Sequence, residues 1–210
     1  MNRTGERAVF ERIAARLAAR FHGLASAETI GRLVADSYER LRATSRVDAH
    51  LVVLAERFAA ERLTALAQAE GRRGKPVPEA LFVCSGNAGR SQMAAALAAV
   101  RGAGRLHARS AGTAPAAELE LVIVEAMAEI GVDLSPEFPK PLTDELVAAA
   151  DLVVTLGCGG ACPVLPGIRY LDWTVPDPAG RPLTEVRRIR DELDLLVTDL
   201  LTTIQYKENA

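Results

Sequence analysis

In the first third of the chain, apolar positions recur three and four residues apart, the spacing of one face of an α-helix. A first helix places Phe10, Ile13, Leu17 and Phe21 on one side and is ended by His22-Gly23. A second, capped by Ser26, turns Ile30, Leu33, Val34, Tyr38 and Leu41 inward. A third carries Leu51, Leu54, Phe58, Leu63 and Leu66. No segment here alternates with the period of two that marks a strand. Three amphipathic stripes can bury one another, so residues 1–70 are expected to form a small all-α three-helix bundle. Gly71-Arg72-Arg73-Gly74-Lys75-Pro76-Val77-Pro78 then breaks every pattern, and glycine and proline at that density mark a linker over 71–78.

Beyond it, short apolar runs alternate with helical stretches. Ala80-Leu81-Phe82-Val83 is a buried strand running into Cys84, and Ser91 to Arg101 is a helix ended by Gly102. Leu106 to Ser110 is a second strand, and Ala117 to Ile130 a helix with Gly131 at its end. Thr143 caps a short helix through Ala150; Asp151 to Leu156 and Ile168 to Trp173 are further strands. A long C-terminal helix from Thr184 to about Thr202 carries Val186, Ile189, Leu193, Leu196 and Leu200. This order predicts an α/β fold over 79–210, a four-stranded parallel sheet flanked by helices and preceded by the bundle. Such sheets bind ligands beyond the carboxyl ends of their strands, and Cys84 and Cys158 both lie just past strand ends.

Composition narrows the function. Apolar residues make up 49% of the 210 positions, enough for an ordinary core. The net charge is −2 with both signs mixed along the chain, so no nucleic-acid or membrane-surface partner is expected. No apolar run approaches the roughly 20 residues that span a bilayer. The charged, helical N-terminus, Met1 to Arg12, lacks the features of a secretory signal. The chain is therefore expected to be cytoplasmic, with its three cysteines, Cys84, Cys158 and Cys162, held as thiols. Only Cys158 and Cys162 are closely spaced, and His22, His50 and His107 show no ligand spacing, so no metal is expected.

The strongest chemical signal is Cys84-Ser85-Gly86-Asn87-Ala88-Gly89-Arg90-Ser91, between a strand and a helix. Small residues let a loop curl its backbone N–H groups inward as a nest for an anion. Gly86 and Gly89 are expected to supply the unusual backbone angles. The positive end of the helix that begins near Ser91 points at the same spot, and the planar fork of Arg90 fits two oxygens of a tetrahedral oxyanion. The same field favours a Cys84 thiolate, with Asn87 and Ser91 placed to hydrogen-bond loop and sulfur. A lone strand-end cysteine is usually a small hydrophobe. The order strand, loop, helix, arginine favours a nucleophile instead.

These residues carry a family resemblance. Residues 80 to 202 resemble the low-molecular-weight protein tyrosine phosphatase superfamily, and within it the arsenate reductases that share its fold. The matching pieces are Val83-Cys84 through Arg90-Ser91-Gln92-Met93-Ala94, Ser110-Ala111-Gly112-Thr113, Ala126-Met127 with Gly131-Val132-Asp133, Ala150 to Leu156, Cys162-Pro163 and Asp177-Pro178. The helical first region resembles, more weakly, the bundle attached to some of these reductases. The resemblance implies that Asp177 is the general acid, although Asp before Pro also suits a turn. It implies a relay: Cys84 attacks arsenate, Cys158 attacks Cys84 as arsenite leaves, and Cys162 forms a disulfide with Cys158 for reduction by thioredoxin. Flanking glycines are expected to let that segment move.

Three alternatives stay open: a mycothiol/mycoredoxin-coupled reductase that needs only Cys84, a protein tyrosine phosphatase, and a non-enzyme sensor of arsenic or an oxyanion with the bundle as its signalling module. Ala179-Gly180 follows Asp177-Pro178 where the phosphatases place an aromatic residue, which favours the reductase. Gly89 stands where many relatives carry a further cysteine, and Ala95 replaces an acidic residue that some use for potassium. No cofactor is expected beyond an external thiol reductant. Trp173 reads better as a core residue at a strand end than as a lining of the mouth. For the bundle, ordinary solvated helix faces are expected, with a homodimer contact or docking of a redox partner as the functional alternative.

Overall fold

The computed structural model describes residues 3–44, 50–158, 160 and 162–208. In chain order its elements are α1 (Arg3–Arg20), α2 (Ala27–Arg42), α3 (Leu51–Ala69), β1 (Glu79–Cys84), α4 (Arg90–Gly102), β2 (His107–Gly112), α5 (Leu121–Ala128), α6 (Asp144–Ala149), β3 (Leu152–Thr155), β4 (Arg169–Asp172) and α7 (Leu183–Glu208). The chain forms two compact units. One is Met1–Lys75 with Thr143–Ala149; the other is Pro76–Leu142 with Ala150–Ala210.

In the first unit the helical stripes find one another. Ile13, Leu17, Phe21, Ile30, Leu33, Val34 and Leu63 bury together. Ser26 is the N-cap of α2, its hydroxyl accepting from the Thr29 amide at 3.1 Å, a cap worth about 1 kcal/mol. On α3, Leu54 and Leu66 are only partly buried, while Ala55 and Ala59 lie fully inside. Small side chains let the helices approach closely there, a choice the leucine pattern does not reveal. Arg62 of α3 is also inside, its side chain 3% exposed. It donates to Asp36 Oδ2 at 2.7 Å, Ser37 Oγ at 3.0 Å and Glu145 Oε1 of α6 at 3.1 Å. Burial, the largest single influence, pushes the Glu145 carboxyl up, but the Arg62 charge and the hydrogen bonds the carboxylate accepts together hold the group below its ordinary value. A buried arginine is tolerable because carboxylates match its charge.

In the second unit the four strands are parallel, in the order β2-β1-β3-β4. β1 is buried along all six residues, and its apolar run from Ala80 to Cys84 is that of a strand covered on both faces. Its core joins Phe82, Met93, Leu97, Ile123, Val154, Val186, Leu193 and Val197, so α4, α5 and α7 all pack on it. Trp173 is partly buried against this core, its ring centroid 5.9 Å from that of Phe82.

Two helix ends differ from expectation. The helix expected from Ala117 begins only at Leu121, because Glu120 is extended (φ −75°, ψ 130°) with its carboxylate bound to the Gly180 amide at 3.0 Å. Gly102 does not stop α4 but lies buried within it; the left-handed C-cap is Ala103 at φ 48°. Among the described residues no helix is long and apolar enough to cross a membrane.

Candidate active site

β1 sits between β2 and β3 and ends on Cys84, so the residues that follow emerge at the carboxyl edge of the sheet. Cys84 is 3% exposed, and two donors face its sulfur. The Asn87 amide lies 3.2 Å away and the Ser91 hydroxyl 2.9 Å away. Ser91 Oγ already accepts from Asn87 Nδ2 at 2.9 Å, which leaves its own hydrogen for the sulfur. That arrangement suits a thiolate. The loop is held from behind by a buried network. Asn87 Oδ1 accepts from Gln92 Nε2 at 3.1 Å and from the Lys140 amide at 2.8 Å, and Gln92 Nε2 also reaches the Phe138 carbonyl at 2.9 Å. Outside, carbonyls of Cys84, Ser85 and Gly86 accept from the amides of Thr113, Ala114 and Ala116. No side chain caps α4, so its first amides are left facing the loop as donors for an anion.

The left-handed residue of the loop is Asn87, at φ 47°. The expected glycines are not: neither Gly86 nor Gly89 has a positive φ. Asparagine is among the few side chains that tolerate this region, and its bonds to Ser91, Gln92 and Lys140 hold it there. Gly89 serves a different need, since a Cβ there would stand 2.8 Å from Pro178 Cγ and 3.2 Å from Ile123 Cδ1. The absence of a side chain lets the Asp177-Pro178 turn close on the loop.

Arg90 is turned toward that turn. Its Nη2 donates to Asp177 Oδ2 at 2.6 Å, and its Nη1 to the Val175 carbonyl at 3.4 Å. Asp177 is half-exposed, and its other oxygen accepts from the Ala179 amide at 3.1 Å. The Glu120 bond to Gly180 ties the far end of the same turn to the start of α5.

The third strand brings the other thiols. Gly157, just past β3, takes φ 72°, and a Cβ there would meet Arg90 Nη1 at 2.6 Å. Its carbonyl accepts from Ser85 Oγ at 3.0 Å. The residue before Cys158 thus touches both the Cys84 loop and the arginine. The expectation that glycine here gives mobility is only part of the matter, because this glycine makes room for Arg90. All three cysteines are free thiols, Cys84 and Cys158 buried and Cys162 partly so. Burial pushes the Cys162 thiol up to about 11, and the nearby Cys158 adds to the shift. Gly159 and Ala161 of the same hexapeptide lie outside the described residues. Among the described residues no group of three or more His, Cys, Asp and Glu side chains is placed to hold a metal ion.

A family model described as "Low molecular weight phosphotyrosine protein phosphatase" matches residues 79–210. This chain belongs to that family. A second model, "Protein-tyrosine-phosphatase-like, N-terminal domain", matches residues 10–67 of the same chain. The low molecular weight phosphatase region is 36% identical over 120 residues to an arsenate reductase of Staphylococcus aureus (strain Newman), 55% of this chain and 90% of that protein. The solved structure of the Corynebacterium glutamicum thioredoxin-dependent arsenate reductase Cg_ArsC1' is similar over 95% of this chain and 98% of its own, at 44% identity and TM-score 0.87. The YwlE arginine phosphatase from Geobacillus stearothermophilus is similar over 62% of this chain and 95% of its own, at 26% identity and TM-score 0.55.

Of the residues singled out in the sequence, Cys84, Asn87 and Ser91 are bonded to one another and Arg90 is bonded to Asp177, with Ser85 linking the loop to the segment of Cys158. Glu120 carries no signal in the sequence, and neither Gln92 nor Gly157 carries one for its contacts with the loop. Gln92 stood inside the matching motif, but only the fold reveals that its side chain turns back to Asn87 and Phe138. Gly112 closes the set, since a Cβ there would stand 2.6 Å from the Ser85 carbonyl.

Proposed function

We propose that this chain is an arsenate reductase whose own thiols supply the electrons. The observation that carries the reading is the contact of Gly157 with both Ser85 and Arg90, which sets the two-cysteine segment beside the Cys84 loop. Arsenate sits in the loop 85–91, held by backbone amides, the end of α4 and the Arg90 fork. The Cys84 thiolate attacks arsenic, and one As–O bond breaks as the Asp177 carboxyl, freed when the Arg90 fork turns onto arsenate and protonated from solvent, gives the leaving oxygen its proton. Water departs, and a Cys84–arsenic(V) adduct remains. Cys158, as thiolate, then attacks Cys84 Sγ; the S–As bond breaks with its electron pair on arsenic, and arsenite leaves. Cys162 attacks Cys158 Sγ, which frees the Cys84 thiolate and stores the oxidation as a Cys158–Cys162 disulfide. An external thiol reductant resets the enzyme.

Thioredoxin is the donor we assign, because a disulfide between two protein thiols is the substrate of a dithiol reductant. The Corynebacterium glutamicum structure, named as thioredoxin-dependent, supports this. We further assign the helical region 1–70 and the catalytic region 79–210 as two domains joined by 71–78, with α6 completing the first compact unit.

The test compares arsenate-dependent oxidation of a thioredoxin system with hydrolysis of an aryl phosphate. Arsenate reduction is expected to be the faster by at least about a hundredfold, roughly 3 kcal/mol in barrier. Faster phosphate hydrolysis makes the chain a phosphatase. Turnover with mycothiol and mycoredoxin but not thioredoxin, undiminished by Cys158→Ser, restricts the chemistry to Cys84.

A further inference from the structure

The two thiols of the proposed relay lie on the loop between β3 and β4, and the two ends of that loop are anchored differently. At its start, Gly157 is bound to Ser85 and packed on Arg90. At its far side, Tyr170 reaches back from β4. Its hydroxyl donates to the Pro163 carbonyl at 3.0 Å and accepts from the Leu165 amide at 3.0 Å. Both capacities of the phenol are spent on the chain just after Cys162. The backbone of Tyr170 is itself fixed, paired with Val153 of β3 in the sheet. Pro163 is exposed and follows Cys162 directly, so the bond from Tyr170 is what refers this position to the sheet.

We propose that Tyr170 is a positioning residue for thiol exchange, fixing the chain beyond Cys162 so that Cys162 meets Cys158 within a short loop closed at both ends. The inference rests on the relay reading above. Without the hydroxyl, the free span runs from Gly157 on to Arg169 where β4 begins, about twice the length from Gly157 to Pro163. Each doubling of a flexible loop lowers the chance of closure about threefold, and lost orientation of the sulfur adds to this. An overall drop of about tenfold in Cys158–Cys162 exchange is expected. Attack of Cys84 on the oxyanion uses the other loop and is left alone. Among the described residues the Tyr170 hydroxyl bonds the backbone of Pro163 and Leu165, so its effect is confined to the second exchange.

The test is Tyr170→Phe in the full chain, which keeps the ring and removes only the hydroxyl. The parent and the variant are first equilibrated, without arsenate, in glutathione buffers of graded potential, and the Cys158–Cys162 disulfide is quantified by mass spectrometry. The variant is expected to show about tenfold lower effective thiol concentration. A quenched single turnover with arsenate is then followed in both proteins. The variant is expected to release arsenite at the parental rate while its Cys84–Cys158 disulfide persists about tenfold longer. Equal glutathione equilibria in the two proteins overturn the proposal, whatever arsenate does. So does a variant in which arsenite release and disulfide transfer slow together, which is the mark of a merely structural tyrosine. A parent that forms the disulfide with glutathione yet releases no arsenite sinks the arsenate reading alone, and the glutathione equilibrium still decides the role of Tyr170.

Discussion

The loop that carries Cys84 and the loop that carries Cys158 and Cys162 leave neighbouring strands, β1 and β3, and they are built in opposite ways. The first is tied through its middle: Asn87 alone engages Cys84, Ser91, Gln92 and Lys140, and three outer carbonyls are bound to the segment after β2. The second, among the described residues, is held at its ends, by Ser85 on Gly157 and by Tyr170 on Pro163 and Leu165. The difference fits the chemistry proposed for each. A nest for an anion works only if its donors are already aimed when the charge arrives. A thiol that must attack first one sulfur and then yield to another has to travel, so its backbone can be fixed only outside the travelling part.

The largest effect that sharpens this contrast comes from the sulfur of the rigid loop. Cys84→Ser is expected to lower arsenite formation by about ten-thousandfold, because the weaker nucleophile faces the same donors. Cys158→Ser, in contrast, should still form the Cys84 adduct and stall before arsenite leaves. Arsenic bound to Cys84 by mass spectrometry, in Cys158→Ser but not in Cys84→Ser, checks both.

Next comes the point where the loops meet. Gly157→Ala puts a methyl at 2.6 Å from Arg90 Nη1 on a backbone at φ 72°, so the guanidinium must shift. A fall of about a hundredfold in kcat/KM is expected, and an alanine variant within threefold of the parent would show that Arg90 does not need its present place. The third effect belongs to the loop of Cys158 and Cys162 alone. Burial holds the Cys162 thiol above its ordinary value, so below that value its thiolate fraction grows about tenfold for each unit the pH rises. Decay of the Cys84–Cys158 disulfide should therefore quicken about tenfold from pH 7 to pH 8, and a flat profile would mean that another step limits it. The smallest effect tests the brace behind the rigid loop. Gln92→Leu removes the buried amide that donates to Asn87 Oδ1 and to the Phe138 carbonyl, a loss of about 1–3 kcal/mol in unfolding free energy by denaturant titration.

The anion loop was legible in the sequence because its chemistry is local: cysteine, small residues and arginine follow one another between a strand and a helix. The helical stripes and the four parallel strands were legible for the same reason. What escaped depends on contacts distant along the chain. Nothing near Gly89 announces that Pro178 will press on it, so its role looked like a matter of backbone angle. Nothing in residues 144–149 marks α6 as the partner of Arg62 on α3. Helix α5 looked longer than it is because Glu120, a good helix former, is drawn away by Gly180 sixty residues on.

The central claim is that the electrons for arsenic come from the protein's own cysteines. Fully reduced protein is mixed with arsenate in the absence of any added thiol, and arsenite is counted while disulfides are mapped by mass spectrometry. The account predicts about one arsenite per chain, with a Cys158–Cys162 disulfide and Cys84 returned to its thiol. Protein that keeps all three thiols and yields no arsenite until an external thiol is added would contradict it.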